Sequence, residues 1–364
     1  MPTGCNCFTI ASDKILAFSK NQAILCAYRA PTAEFGAAAP AICLLNDFTM
    51  NTPVSPAWAV AIIASRESVE TLASTVQAAL AAAAPDAVID VLVNGNPGLA
   101  RQFAEWSTSV PGADRLRVWS IPQGDKAHAL NEYIHRIWPD GRLAFFLDGY
   151  ARPRPDGLAR LAASLASAPE AFGASGVPSS GRSAPALRTE MLRTNGFHGN
   201  MHAIPVHAMR ALRELGFRLP LGLYRTDSLV GAVLKFGLDP ARHGWEQQRI
   251  VVDADATWDV PGQSDLTFKN IKAQFKRRLR QAQGDLENRA VRDHLALRGL
   301  PINRLPKTAS ELVLQWINAH PAEARQLYLK NPLRFSAVLK ARAPKDWSAT
   351  EDVPELIHNI RTAQ

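Results

Sequence analysis

From Trp58 onward, short apolar runs alternate with longer stretches whose apolar residues recur at helical spacing. Trp58–Ala64, Val88–Val93, Leu116–Ile121 and Leu143–Leu147 are compact apolar runs with the length and bounding turns of buried strands. Glu67–Ala84, Leu99–Trp106, Lys126–Trp138 and Asp156–Ala166 fall between or after them and read as helices, the third capped by Asp125. Strands that alternate with helices imply βαβ units, right-handed crossovers and a mainly parallel sheet, hence an α/β fold. Beyond Ala171–Val177, the Ser/Gly/Pro-rich stretch Pro178–Pro185 suits a mobile flap. Gly199–Ile204 then reads as a strand, Val206–Leu215 as a helix, Ser228–Phe236 as a helix opened by Thr226-Asp227, and Arg249–Asp253 as a last strand. Everything from Leu266 onward reads as helices broken by Pro301, Pro306, Pro321, Pro332 and Pro344.

The first 56 residues lack this patterning. They hold all four cysteines, Cys5, Cys7, Cys26 and Cys43, and end in the turn-rich Asn51-Thr-Pro-Val-Ser-Pro56. The expectation is a poorly ordered arm (1–56), with Met50 a candidate initiator. An α/β domain (57–265) and a helical C-terminal extension (266–364) follow. Without cysteines beyond position 43, neither a disulfide framework nor a zinc-finger spacing holds the main body. No apolar run reaches the ~20 residues of a spanning helix, and no signal-peptide pattern opens the chain. A cytoplasmic protein is therefore expected.

The formal net charge is +8, and one segment supplies most of it. Between Asp265 and Asp285 lie Lys269, Lys272, Lys276, Arg277, Arg278 and Arg280, with no acid among them. Such a patch fits a phosphate-bearing ligand, or peripheral contact with an anionic inner membrane face through 268–283. Nucleic acid is the weakest of the partners it raises, because only Phe268 and Phe275 interleave the cations and no recognition motif accompanies them.

In parallel sheets ligands bind beyond the carboxyl ends of the strands, which directs attention to Ser65–Glu67, Asn94–Asn96, Gln123–Lys126 and Asp148–Tyr150. Asp148 ends an apolar strand where a carboxylate can hold a divalent cation against a diphosphate; an Asx turn is the plain alternative. Lys126 opens a helix after a glycine turn, which suits a phosphate and equally suits a solvent lysine. Asp227, in the first turn of a helix, can take a proton from a hydroxyl or cap the helix. His198 and His202 could be ligands, although histidines in a strand more often have structural roles.

The ordered set Val60–Glu67, Asn94, Gly124–Asn131, Leu147–Pro155, Gly199–Leu215 and Thr226-Asp227 resembles a family 2 glycosyltransferase of the GT-A fold, from about Val60 to about Gln283. The resemblance implies that Ser65, Arg66 and Glu67 border the base and that Asn94 stands in place of an acid near the uracil or ribose. It places Gly124-Asp-Lys-Ala-His-Ala-Leu-Asn131 on a G-K-x-x-A-L-N-like element and Asp148-Gly149-Tyr150 on the Asp-x-Asp motif. It assigns Asp227 as general base and gives Arg277 and Arg278, in Gln274-Phe-Lys-Arg-Arg278, to the diphosphate. The same motif implies a Mg²⁺ or Mn²⁺ ion at Asp148, with Tyr150 where the second acid would stand.

The implied reaction is an inverting transfer of a sugar from a UDP- or GDP-type donor to an acceptor hydroxyl, on a surface-polysaccharide or lipid-linked intermediate. Two other readings compete. A degenerate transferase fold would bind nucleotide or glycan without catalysis. A sugar nucleotidylyltransferase would need a Gly-rich signature after the first strand, and Ala64-Ser-Arg-Glu-Ser68 has no glycine.

Overall fold

The computed structural model describes residues 57–181, 183–261 and 268–359, without the side chains of 268–277 and Asn359. The expected arm at 1–56 and the expected domain boundary at 265/266 both lie outside the described residues. The first half alternates as the pattern predicts: β1 (Trp58–Ala64), α1 (Val69–Ala82), β2 (Val88–Asn94), α2 (Pro97–Ser107), β3 (Leu116–Ile121), α3 (Lys126–Glu132) and β4 (Leu143–Asp148). Next come β5 (Arg152–Pro153), α4 (Gly157–Ser167), β6 (Gly173–Pro178), α5 (Ala184–Thr194), β7 (Met201–Ile204), α6 (Val206–Glu214), α7 (Thr226–Lys235) and β8 (Ile250–Asp259). The C-terminal part is α8 (Phe268–Arg292), α9 (Ala309–Ala319), α10 (Pro321–Lys330), α11 (Pro332–Arg342) and β9 (Glu355–Asn359).

Among the described residues the strands form one sheet in the order β5-β8-β6-β7-β4-β1-β2-β3-β9. The β3-β2-β1-β4 core is parallel, as expected from the alternation. Around it the sheet is mixed: β7 runs antiparallel to β4 and β6, β5 to β8, and β9 to β3. The strand order reverses between β1 and β4, where parallel sheets open a crevice at their carboxyl edge.

Two cores cover the two sheet faces. On β1, Val60, Ile62 and Ala64 point into the core shared with α1, α2 and α4. Ala59, Ala61 and Ile63 point into the other, which includes residues of α3, α6 and α7. The helical extension shares that second core through Leu286, Leu312, Trp316, Leu327 and Val338. This packing holds the C-terminal helices against the domain that carries the cleft.

Three features depart from the sequence pattern. The presumed flap 178–185 leads into α5, because Pro185 sits in a first turn where its missing N–H costs nothing. The extension is not all helical: Glu355–Asn359 is a strand that pairs antiparallel with β3 at the sheet edge. And β8 runs on to Asp259, well past the expected end at Asp253. Among the described residues no helix is long and apolar enough to cross a membrane.

Candidate active site

The carboxyl ends of β1, β2 and β4 meet at one edge, where loop polar groups hold one another. Asn94 Nδ2 donates to the Ala64 carbonyl at 2.7 Å, and Ser65 Oγ donates to the Asn94 carbonyl at 2.9 Å. Glu67 Oε2 accepts the N–H groups of Ser65 at 2.7 Å and Arg66 at 2.9 Å. The Asn94 amide therefore braces the first loop, a structural task that sequence reasoning had not separated from ligand contact. Gly149 continues the contact between β1 and β4: its N–H donates to the Ile63 carbonyl at 2.8 Å, and the residue is buried against Ala64.

Lys126 is the first residue of α3, whose cap Asp125 accepts the His128 N–H at 2.9 Å. The other oxygen of Asp125 accepts the Gly222 N–H at 2.9 Å and ties this helix to the loop before α7. From there Lys126 Nζ reaches across to ion-pair with Asp148 Oδ1. Asp148 Oδ2 accepts from Tyr150 Oη at 3.2 Å. It also accepts from the Asn200 amide at 3.0 Å, in the orientation in which the Asn200 carbonyl takes the Trp258 Nε1–H at 2.9 Å.

Asp227 joins this group through Gly199, whose N–H donates to Asp227 Oδ2 at 3.1 Å. A Cβ built on Gly199 would lie 3.2 Å from Lys126 Nζ, 3.6 Å from Asp148 Oδ2 and 3.6 Å from the Asp227 Cβ. A residue without a side chain is what lets three charged groups from α3, β4 and α7 gather here. Burial alone would lower the Lys126 pKa, but the carboxylates of Asp148, Asp227 and Glu67 outweigh it and raise the ammonium above its ordinary value. Burial would raise the Asp227 pKa, yet His198, Lys126 and the Gly199 N–H hold it below the usual range. The site thus sets the Lys126 ammonium between the side chains of Asp148 and Asp227.

These groups line a cleft of about 990 Å³, in the size range of sites for small ligands. The Ser65–Glu67 loop and Asn94 form one wall and Leu223–Ser228 another. The extension adds Arg280 and Gln283 from α8, Lys340 from α11, and Lys345 and Trp347 beyond it.

No protein-family model matches this chain, and no curated protein does. Solved structures with a similar fold include a mannosyltransferase, PcManGT, from Pyrobaculum calidifontis in complex with GDP-Man and Mn²⁺. It is 19% identical over 82% of this chain and 79% of that chain, with a TM-score of 0.49. TarS 1–349 from S. aureus, in complex with UDP-GlcNAc, is 11% identical over 78% of this chain and 80% of that chain, at 0.47. A Mycobacterium tuberculosis glucosyl-3-phosphoglycerate synthase in complex with UDP is 14% identical over 65% and 80%, at 0.43. At identities and TM-scores this low, the functional reading rests on the cleft's own residues.

Several expected site residues sit elsewhere. Arg278 is exposed and does not line the cleft; Arg280, two residues further along α8 and also exposed, does, over the Tyr224 ring at 5.9 Å. The Arg277 side chain lies outside the described residues. His198 lines the cleft, with its ring stacked near Trp258 and its Nδ1 accepting the Asn200 N–H. His202 is instead a core residue, stacked on Phe146 at 4.9 Å and hydrogen-bonded to the His198 carbonyl, and burial pushes its pKa down to about 3. Asn200 was not singled out from sequence; its position between two histidines in a glycine-containing strand entry was the available signal.

The donor set at Asp148 does not fit a divalent cation. Mg²⁺ and Mn²⁺ need oxygen lone pairs, and this carboxylate meets three donors, one of them positively charged. Among the described residues no three His, Cys, Asp or Glu side chains group as a metal cage.

Proposed function

We propose that this protein is a glycosyltransferase that moves a sugar from a nucleoside-diphosphate donor to an acceptor hydroxyl with inversion. The observation that carries the proposal is the meeting of Lys126, Asp148 and Asp227 around Gly199, at the switch point of a parallel core. An ammonium on one side and a free carboxylate on the other suit a diphosphate leaving group and an attacking hydroxyl.

In this reading the donor's nucleoside end lies along the Ser65–Glu67 loop and Asn94, with its diphosphate at Lys126. Asp227 is ionised at neutral pH, so it is ready to accept a proton. Its Oδ2 is held by the Gly199 N–H, and its Oδ1 takes the proton from the acceptor hydroxyl. The acceptor oxygen forms the new bond to the anomeric carbon while the bond from that carbon to the phosphate oxygen breaks. The electron pair leaves with the nucleoside diphosphate, whose charge Lys126 offsets together with Arg66, Arg280 and Lys340 from the cleft walls. The acceptor is a hydroxyl of a surface-polysaccharide or lipid-linked intermediate.

Asp227→Asn tests the proposal. The amide keeps the size and one acceptor for the Gly199 N–H but cannot take the proton, and loss of a general base typically costs ~10²–10⁴-fold in rate. Donor hydrolysis or transfer should fall by that factor, while calorimetry with UDP and GDP should show nucleotide affinity unchanged. Full activity in Asp227→Asn sinks the assignment. Nucleotide binding with no turnover in the parent favours the binding-only fold.

A further inference from the structure

We infer that the Lys126 ammonium, seated on Asp148, occupies the place a divalent cation would take beside the diphosphate, so that the cleft binds its nucleotide without metal. The inference rests on the transferase reading above and specifies how that site handles charge.

Two observations carry it. The first is the set of donors that already hold Asp148. Lys126 occupies Oδ1, while Tyr150 and Asn200 both donate to Oδ2. In the orientation that satisfies both ends of its amide, Asn200 turns its NH2 toward Asp148 and its oxygen toward the Trp258 indole N–H at 2.9 Å. Tyr150 stands where the second acid of an Asp-x-Asp pair would be, and its hydroxyl donates where a carboxylate would accept. The second observation is the position of Nζ. It would lie 3.2 Å from a Cβ built on Gly199, at the point where α3, β4 and α7 converge, and Lys126 lines the cleft with its side chain 34% exposed.

An ammonium is a compact charge with three donors, and it hydrogen-bonds phosphate oxygens from one fixed point. It carries half the charge of a divalent cation, and Arg66, Arg280 and Lys340 line the same cleft to supply more. Asp148 is then a positioning residue. It keeps Lys126 aimed and charged, and it binds no metal.

The test is calorimetric titration of the full chain with UDP and with GDP, in EDTA and in excess Mn²⁺. The parent should bind with the same affinity in both. Lys126→Gln should weaken binding roughly 10- to 100-fold, the value of one charge-assisted hydrogen bond. Lys126→Arg should retain most of it, and melting curves should establish that each variant is folded. In Asp148→Asn, burial acts on Lys126 without its nearest carboxylate, so the alkaline fall in nucleotide affinity should move to lower pH than in the parent. A merely structural aspartate would not move that limb. Binding that appears only with Mn²⁺ overturns the inference and leaves the transferase reading standing, as does a folded Lys126→Gln that binds like the parent. Absence of nucleotide binding in both conditions overturns the two together.

Discussion

Gly149 offers a direct test of how tightly β1 and β4 must approach at the cleft edge. An alanine Cβ there would lie 3.0 Å from the Ala64 Cβ, 3.0 Å from the Ile63 carbonyl oxygen and 3.2 Å from the Ala64 Cα. Comfortable carbon contacts need roughly 3.5–4.0 Å. All three neighbours are backbone or Cβ atoms, so no flexible side chain can yield, and the strand ends must part by several tenths of an ångström. Overpacking of this kind costs about 1–3 kcal/mol. Stretching the Gly149 N–H bond to Ile63 adds up to ~1 kcal/mol. A combined loss of about 2–3 kcal/mol corresponds to a melting temperature lower by roughly 3–5 °C for a domain of this size. The same shift displaces Asp148 on one side and Ser65–Arg66 on the other, so affinity for UDP or GDP should fall although Gly149 is not among the residues that line the cleft. Gly98→Ala is the control. It lies in the first turn of α2 with only Asn96 Oδ1 near, at 3.7 Å, and should stabilise by ~0.4–1 kcal/mol through the unfolded chain. Scanning calorimetry and nucleotide titration of both variants suffice. Equal melting of the two, or unchanged nucleotide affinity in a destabilised Gly149→Ala, refutes the reasoning.

His202 stays neutral in the fold with a pKa near 3 but titrates around 6.5 when unfolded. Its contribution is therefore complete above pH 6.5 and drains at roughly 1.4 kcal/mol per pH unit as pH falls toward 3. Denaturant unfolding at stepped pH should show that slope in the parent and a shallower one in His202→Gln. Glu287 behaves oppositely. It is buried under the Tyr224 N–H and the Gln283 amide, and burial raises its pKa to about 6 from 4.5. The protonated form suits the fold, so its contribution is present below pH 4.5 and lost as pH rises through 6. Glu287→Gln should gain about 2 kcal/mol on the parent between pH 4.5 and 7; a stability difference that does not vary with pH sinks the idea. Asp90 is fully buried and takes Arg117 at 2.7 and 2.8 Å and the Trp119 indole at 2.8 Å. Asp90→Ala removes the acceptor of the half-buried Trp119 indole and the main partner of the partly exposed Arg117, and should cost about 2–4 kcal/mol in unfolding free energy; a loss below ~1 kcal/mol refutes that account.

What the sequence determined by itself is the parallel core and the edge where ligands meet it. Runs such as Trp58–Ala64 and Leu143–Leu147 are buried on both faces, so nearly every residue must be apolar, and the turns that bound them are local chemistry. Ser65, Asn94, Lys126 and Asp148 were legible as edge residues for the same reason: each follows directly from where a strand stops or a helix starts. Tertiary structure alone decided the rest. Glu355–Asn359 carries only two apolar residues in five, and its pairing with β3 depends on a partner more than 200 positions away. Which exposed arginine of α8 borders the cleft, Arg280 and not Arg278, is set by how the described part of that helix packs against its neighbours. The identity of Asp148's partners was equally hidden. Lys126 and Asn200 reach it from opposite directions along the chain, and Gly199 matters only because three elements converge where its side chain would be. Periodicity reports the burial of a segment against its surroundings, whereas a charged cluster is a relation between segments, and only the folded chain brings those together.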